Sequence, residues 1–147
     1  MMSISVRPSR YSHGLIKESG EFVINIPTVD QLEKVDYCGM VSGREVDKFA
    51  ACGFTASPAS KVSVPLIAEC PINLECTVTQ IIPLAAHDMF LGRVEAVHGE
   101  ETVINDKGRI DATKAVPLTF VTHTYYKLGD YLNKYGFTRG KLTSTGS

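Results

Sequence analysis

The alternation of apolar and polar residues divides the chain into short strands and a few short helices. Ser3-Ile4-Ser5-Val6 alternates with period two and reads as a strand packed on one face. Pro8 fixes its own φ and pushes Arg7 out of the helical region, so Arg7-Pro8-Ser9-Arg10 is a turn. From Tyr11 the spacing becomes helical, with Leu15 and Ile16 on the side of Tyr11, and Gly20 supplies the left-handed helix end. Glu21 to Ile26 is a second strand, closed by Pro27. Thr28 and Gln31 form a capping box for a helix through Leu32 and Val35 that ends near Gly39 to Gly43. Ser42-Gly43-Arg44 is a turn, and Asp47 to Ala51 forms another short helix stopped by Gly53.

Thr55 to Pro65 reads as a loop, with Lys61-Val62-Ser63-Val64 as a short edge strand within it. Leu74 to Thr79 alternates cleanly, apolar on one side and polar on the other, and Ile81-Ile82-Pro83 ends it. His87 to His98 is its antiparallel partner, where Gly92 marks a bulge or a close backbone approach. Gly99 to Thr113 reads as a solvated connection with a turn at Asn105 to Gly108. Pro117 to His123 is the last strand, Leu128 to Leu132 a short helix or turn, and 138–147 a frayed tail.

The turn after the first strand carries the candidate chemistry. A helix N-terminus offers unpaired N–H groups and the positive end of a dipole, and Arg7, Ser9, Arg10 and Ser12 surround it with donors. Such a turn is an anion site. The plainer reading makes Ser9 or Ser12 a helix cap and the arginines solvated surface charges.

The segment Ser5 to Ile16, followed by Gly20 to Pro27, resembles the flavin reductase-like family, specifically its flavoredoxin branch. Further matches are Ser42 to Phe49, Leu74-Glu75-Cys76, His87 to Gly92 and Tyr125 to Gly129, in order along nearly the whole chain. The resemblance implies a mainly β domain with short helices over residues 1–137. Its fold would be an FMN-binding split β-barrel, antiparallel and of Greek-key type. It also implies a homodimer whose first turn holds the FMN phosphate. The cofactor-binding residues carried over are Arg7, Ser9, Arg10, Tyr11, Ser12, Ser42, Lys48, His87 and Phe120. By resemblance Lys48 approaches the flavin ring, where an ammonium stabilises charge developing on reduction. His87 stands beside the ring and Phe120 borders it. Two further strands precede the equivalent of Met2-Ser3-Ile4 in the family. Here the chain opens at Met1-Met2, so either the true N-terminus is absent from this sequence or this is a shortened relative. Absence is the expectation, because a real barrel lacking two strands would leave long open edges that invite aggregation.

Composition narrows the function. The chain has 147 residues, 44% hydrophobic and 21% charged, enough for one domain with a real core. A net charge of −1 argues against a general nucleic-acid or anionic-membrane binder. Residues 1–20 nonetheless carry a local +2, where the anion is proposed. Cys38, Cys52, Cys70 and Cys76 have spacings that suit neither a zinc ribbon nor a redox dithiol. They are read as reduced thiols of a cytoplasmic protein. His13, His98 and His123 are scattered, and no metal is assigned.

No Gly-x-Gly-x-x-Gly follows a strand, so nicotinamide would stack on the flavin in a shared pocket rather than on its own Rossmann module. The expectation is an FMN-dependent oxidoreductase fed by NAD(P)H or a reduced protein partner. The alternatives are an FMN electron carrier without small-molecule turnover and a split barrel that holds no flavin. The hydride chemistry belongs to the cofactor, so no catalytic nucleophile is assigned.

Overall fold

The structure is a computed structural model that describes residues 1–133 together with 135, 137 and 138. Of the tail expected over 138–147, only Thr138 falls within those residues. The first three elements form where local chemistry puts them. Strand β1 is Met2–Val6, helix α1 is Tyr11–Ser19 and strand β2 is Glu21–Ile26. Gly20 ends α1 at φ 68° and returns its N–H to the Ile16 carbonyl at 2.9 Å. The Gln31 side chain accepts from the Thr28 N–H at 2.9 Å, and a 3-10 turn at Val29–Gln31 leads into α2, Leu32–Met40. Helix α3, Lys48–Cys52, is capped by Asp47, whose carboxylate accepts from the N–H groups of Phe49 and Ala50.

The framework is a four-stranded antiparallel sheet in the order β1-β6-β5-β2, where β5 is Ile72–Pro83 and β6 is Asp88–Gly99. Register runs from Met2 opposite Gly92 to Val6 opposite Asp88, and from Glu21 opposite Thr77 to Ile26 opposite Ile72. Two irregularities interrupt the long β5–β6 hairpin, one at Glu75/Cys76 and one at Val78/Gln80. Bulges sharpen local twist, and the sheet curls into the half-barrel of a split-barrel domain. Gly92 lies beside the second irregularity. A Cβ there would stand 2.5 Å from the Phe22 ring, so only glycine lets Phe22 close over the strand. Phe22, Cys76 and Phe90 are buried around it. A second cluster joins Ile72, Val103 and Ala115 with Ile26 and Leu74.

Several expectations are corrected. Lys61 to Val64 is not a strand. The N–H groups of Ser60, Lys61 and Val62 all donate to the Glu75 carboxylate, and that of Ser63 donates to Glu21, so these donors serve side chains rather than a sheet ladder. The loop is instead pinned by a two-residue pair, β3 (Ala56–Ser57) with β4 (Leu66–Ile67). The alternation of Leu74 to Thr79 stands within β5, though its polar side includes the fully buried Glu75. The connection from Gly99 to Thr113 is not wholly solvated either. Val103, in a 3-10 turn at Glu101–Val103, joins the core, followed by the four-residue helix α4, Ala112–Ala115. The last strand is two. β7 (Leu118–Val121) folds back on β8 (Thr124–Lys127) through Thr122 and His123, both at positive φ without a glycine to signal the turn. Leu128 to Leu132 is irregular rather than a helix or turn.

Candidate functional site

A cavity of about 590 Å³ opens between the turn that follows β1, the N-terminal half of α1 and the stretch joining α2 to α3. Seven of the nine residues singled out in the sequence line it: Arg7, Ser9, Arg10, Tyr11, Ser12, Ser42 and Lys48. Its volume suits a cofactor-sized ligand. Ile4, Val6, Ile16 and Val41 give it apolar wall, and no carboxylate belongs to its lining.

The turn is built as an open donor array. The Arg10 N–H donates to the Arg7 carbonyl at 2.9 Å, which folds the chain into α1. No side chain caps α1 at Arg10, and no acidic residue stands in its first turn. The reading of Ser9 or Ser12 as the cap is thereby set aside. The hydroxyls stay available at the positive end of the helix. Arg7 and Arg10 are exposed at the mouth. Among the described residues neither arginine, nor Lys48, has a carboxylate within ion-pair distance.

The opposite wall comes from the end of α2 and the start of α3. Lys48 is half-buried and donates from Nζ to the Cys38 carbonyl, which fixes its ammonium in the wall. Ser42 accepts from the Arg44 N–H through its hydroxyl, and its carbonyl accepts from Glu45 and Val46. Gly43 admits the Tyr11 ring, since a Cβ would meet Tyr11 Cδ1 at 3.1 Å. The Arg44 guanidinium lies 5.4 Å from the centre of the same ring.

The remaining two residues lie elsewhere. His87 stands behind the arginine rather than in the cavity lining. Arg7 donates from Nε to His87 Nε2 at 3.3 Å. Phe120 does not line the cavity of its own chain. It sits on β7, 58% exposed, against the rings of His123 and Tyr125. The Tyr125 hydroxyl donates to Asp36 at 3.1 Å and ties this hairpin to α2.

Sequence reasoning missed Cys38, Gly39 and Val41, which bring α2 into the wall. No local signal marks them, because their role comes from how α2 docks. It also missed that His13 is buried, paired with Asp88 at 2.8 Å and edge-on to Phe90, so that α1 is fastened to the start of β6. Cys38 and Cys52 approach to 3.5 Å between sulfurs. Burial and the neighbouring Cys52 push the Cys38 thiol above its ordinary range. Burial pushes Cys70 up to about 11.

A half-barrel with a cationic cavity at the first turn defines a class, and comparison with known proteins identifies it. Residues 1–129 match the family described as flavin reductase like domain. The chain belongs to that family, on its flavoredoxin branch. The flavoredoxin of Desulfovibrio vulgaris (Miyazaki F) superposes with a TM-score of 0.86 at 34% identity, covering 94% of this chain and 74% of that one. The flavoredoxin from Methanosarcina acetivorans gives 0.87 at 32% identity, covering 95% and 75%. An FMN-binding protein from Thermus thermophilus gives 0.75 at 27% identity, covering 90% and 71%. A protein of Archaeoglobus fulgidus is 38% identical over 101 residues, which are 68% of this chain and 57% of that protein. The chain thus spans little more than half the length of its curated relatives. Among the described residues no helix is long and apolar enough to cross a membrane.

Proposed function

We propose that the cavity binds FMN and that the chain passes electrons through it, as an oxidoreductase of the flavin reductase and flavoredoxin type. NAD(P)H or a reduced protein partner serves as donor. One observation carries this reading. Arg7, Arg10 and Lys48 line a single cavity that has no carboxylate in its lining and receives the uncapped start of α1. Cations gathered without a counter-charge fit an anionic ligand, and the phosphate of FMN is one.

The residues present suit that group. Arg7, Ser9, Arg10 and Ser12 supply donors for the phosphate, Ile4, Val6, Ile16 and Val41 supply apolar wall, and Lys48 supplies a fixed ammonium. FMN brings the redox chemistry when bound. The chain's own task is to hold the anion, exclude water from the apolar wall and present a positive charge. Steady-state oxidation of NADH or NADPH with free flavin or ferric acceptor separates a reductase from an electron carrier.

The test exploits the phosphate. Each charge-assisted hydrogen bond contributes roughly 1.5–3 kcal/mol. Arg7→Ala or Ser12→Ala should therefore weaken FMN by about tenfold or more while riboflavin binding changes little. Equal losses for the two ligands, measured by calorimetry, would overturn the assignment.

We also propose a partner for the surface around the hairpin. Phe120, Val121, Tyr126 and Tyr131 are all at least half exposed. Aromatic residues are enriched at interface cores. We assign this surface to a second copy of the chain, in a twofold homodimer with FMN close to the subunit boundary. Light scattering combined with flavin fluorescence over a dilution series should show FMN released as the dimer dissociates. A monomer that keeps FMN at every concentration contradicts it.

A further inference from the structure

Cys38 and Cys52 are separated by a stretch that turns through Ser42 and Gly43, yet the fold brings their sulfurs to 3.5 Å. Both are free thiols. Their surroundings differ in a way that matters for chemistry. Cys38, in the last turn of α2, is half-buried and lines the cavity, so a small solute reaches it. Cys52, the last residue of α3, is 7% exposed and lies behind it, with Sγ turned toward the Lys34 carbonyl at 3.8 Å. One accessible thiol backed by one buried thiol is the arrangement of an attacked sulfur and a resolving sulfur.

We propose that Cys38 and Cys52 form a reversible disulfide in the wall of the cavity, with hydrogen peroxide as oxidant. Burial and the neighbouring Cys52 hold the Cys38 thiol above its ordinary range, so the reaction runs through its minor thiolate fraction. That thiolate attacks one peroxide oxygen, the O–O bond breaks, and the departing hydroxide takes up the proton that Cys38 lost. Cys38 is then a sulfenic acid, oxidised by two electrons, and the peroxide is reduced by two. The Cys52 sulfur attacks the Cys38 sulfur. The S–S bond forms, the S–O bond breaks, and the leaving hydroxide takes the Cys52 proton as a second water. A dithiol reductant reverses the change by exchange.

Geometry supports closure. A disulfide places its sulfurs about 2.05 Å apart, so the pair must approach by roughly 1.5 Å, within reach of side-chain rotation and a small shift of α3. The ring so closed runs through Ser42, Gly43 and Lys48, and Lys48 is already bound to the Cys38 carbonyl. Oxidation would therefore fasten one wall of the cavity to itself. Cys70 and Cys76 act as built-in controls. Both are buried, and their sulfurs face Gln31 and the Leu74 carbonyl rather than another cysteine.

Mass spectrometry of the full chain tests this without a variant. Protein that has been reduced, exposed to a small excess of hydrogen peroxide, alkylated and digested with trypsin under non-reducing conditions should yield peptides 35–44 and 49–61 joined. The product should be lighter than their sum by two hydrogens and should vanish after dithiothreitol. Amide hydrogen exchange over 39–51 should slow in the oxidised form. In Cys52→Ala, dimedone should label Cys38, and in Cys38→Ala it should leave Cys52 unlabelled. Three results would overturn the proposal: Cys38 converted to sulfinic acid with no joined peptide, disulfides only between chains, or Cys70 and Cys76 oxidised ahead of the pair.

Discussion

The buried Glu75 carboxylate and the Arg7–Arg10 turn each gather charge beside backbone N–H groups, but Glu75 has its partners built in and the turn does not. Glu75 accepts from the N–H groups of Ser60, Lys61 and Val62, from the Ser60 hydroxyl and from the His98 ring. Burial alone would raise its pKa, yet the donors of Ser60, His98 and Lys61 outweigh it and hold the group near about 2. Arg7, Arg10 and Lys48 have no carboxylate partner among the described residues. Buried charge is tolerated when the fold itself pairs and hydrogen-bonds it. Glu75 meets that condition and holds a loop. The cationic turn leaves its charge at a cavity whose lining holds no carboxylate.

The largest effect expected from this contrast is on stability. Glu75→Gln removes the charge that the N–H groups of Ser60, Lys61 and Val62 share and turns an amide donor toward them, and each buried donor left without an acceptor costs about 1–3 kcal/mol. Urea denaturation should show that loss, while Arg7→Ala should change stability by no more than about 0.5 kcal/mol. Comparable losses would erase the distinction between a closed and an open site. Acid should act in the same direction as Glu75→Gln. The ordinary carboxyl value is 4.5 and the folded value about 2. The stability owed to the ionised Glu75 is therefore complete above about pH 5 and is lost as pH falls from there toward 2. In Glu75→Gln that part of the acid dependence should disappear, which a series of thermal melts across this range would reveal.

What could be read from the sequence follows the same division between local and distant causes. The first strand, the α1 turn, the Thr28–Gln31 box and the short helix stopped by Gly53 were legible because each is decided within a few neighbouring residues. So was the cluster of donors at Arg7 to Ser12, which one turn holds together. The absence of a strand at Lys61 to Val64 was not legible, since the residue that claims its N–H groups stands on β5. Nor was the Cys38–Cys52 approach, which depends on how α3 docks against α2. The return strand β8 was hidden because Thr122 and His123 adopt positive φ where sequence reasoning expects glycine or asparagine. Phe120 was placed by resemblance beside the flavin, but it is exposed on the hairpin and does not line the cavity of its own chain.

The smallest effect expected is also the most specific to the open site. Lys48 is held by one hydrogen bond to the Cys38 carbonyl, and its charge faces a cavity without carboxylates. If FMN occupies that cavity, its ring gains negative charge on reduction, so a nearby cation favours the reduced form over the oxidised one. Lys48→Met keeps the length and apolar stem of the side chain while removing the charge. The reduction potential should fall by tens of millivolts, since about 30 mV corresponds to 1.4 kcal/mol for a two-electron couple. Affinity for oxidised FMN should change less than affinity for reduced FMN, because the difference between the two is the shift in potential. A potentiometric titration of the wild-type and Lys48→Met proteins measures it directly. Potentials that coincide would place Lys48 outside the redox site and return it to a wall residue that only positions Cys38.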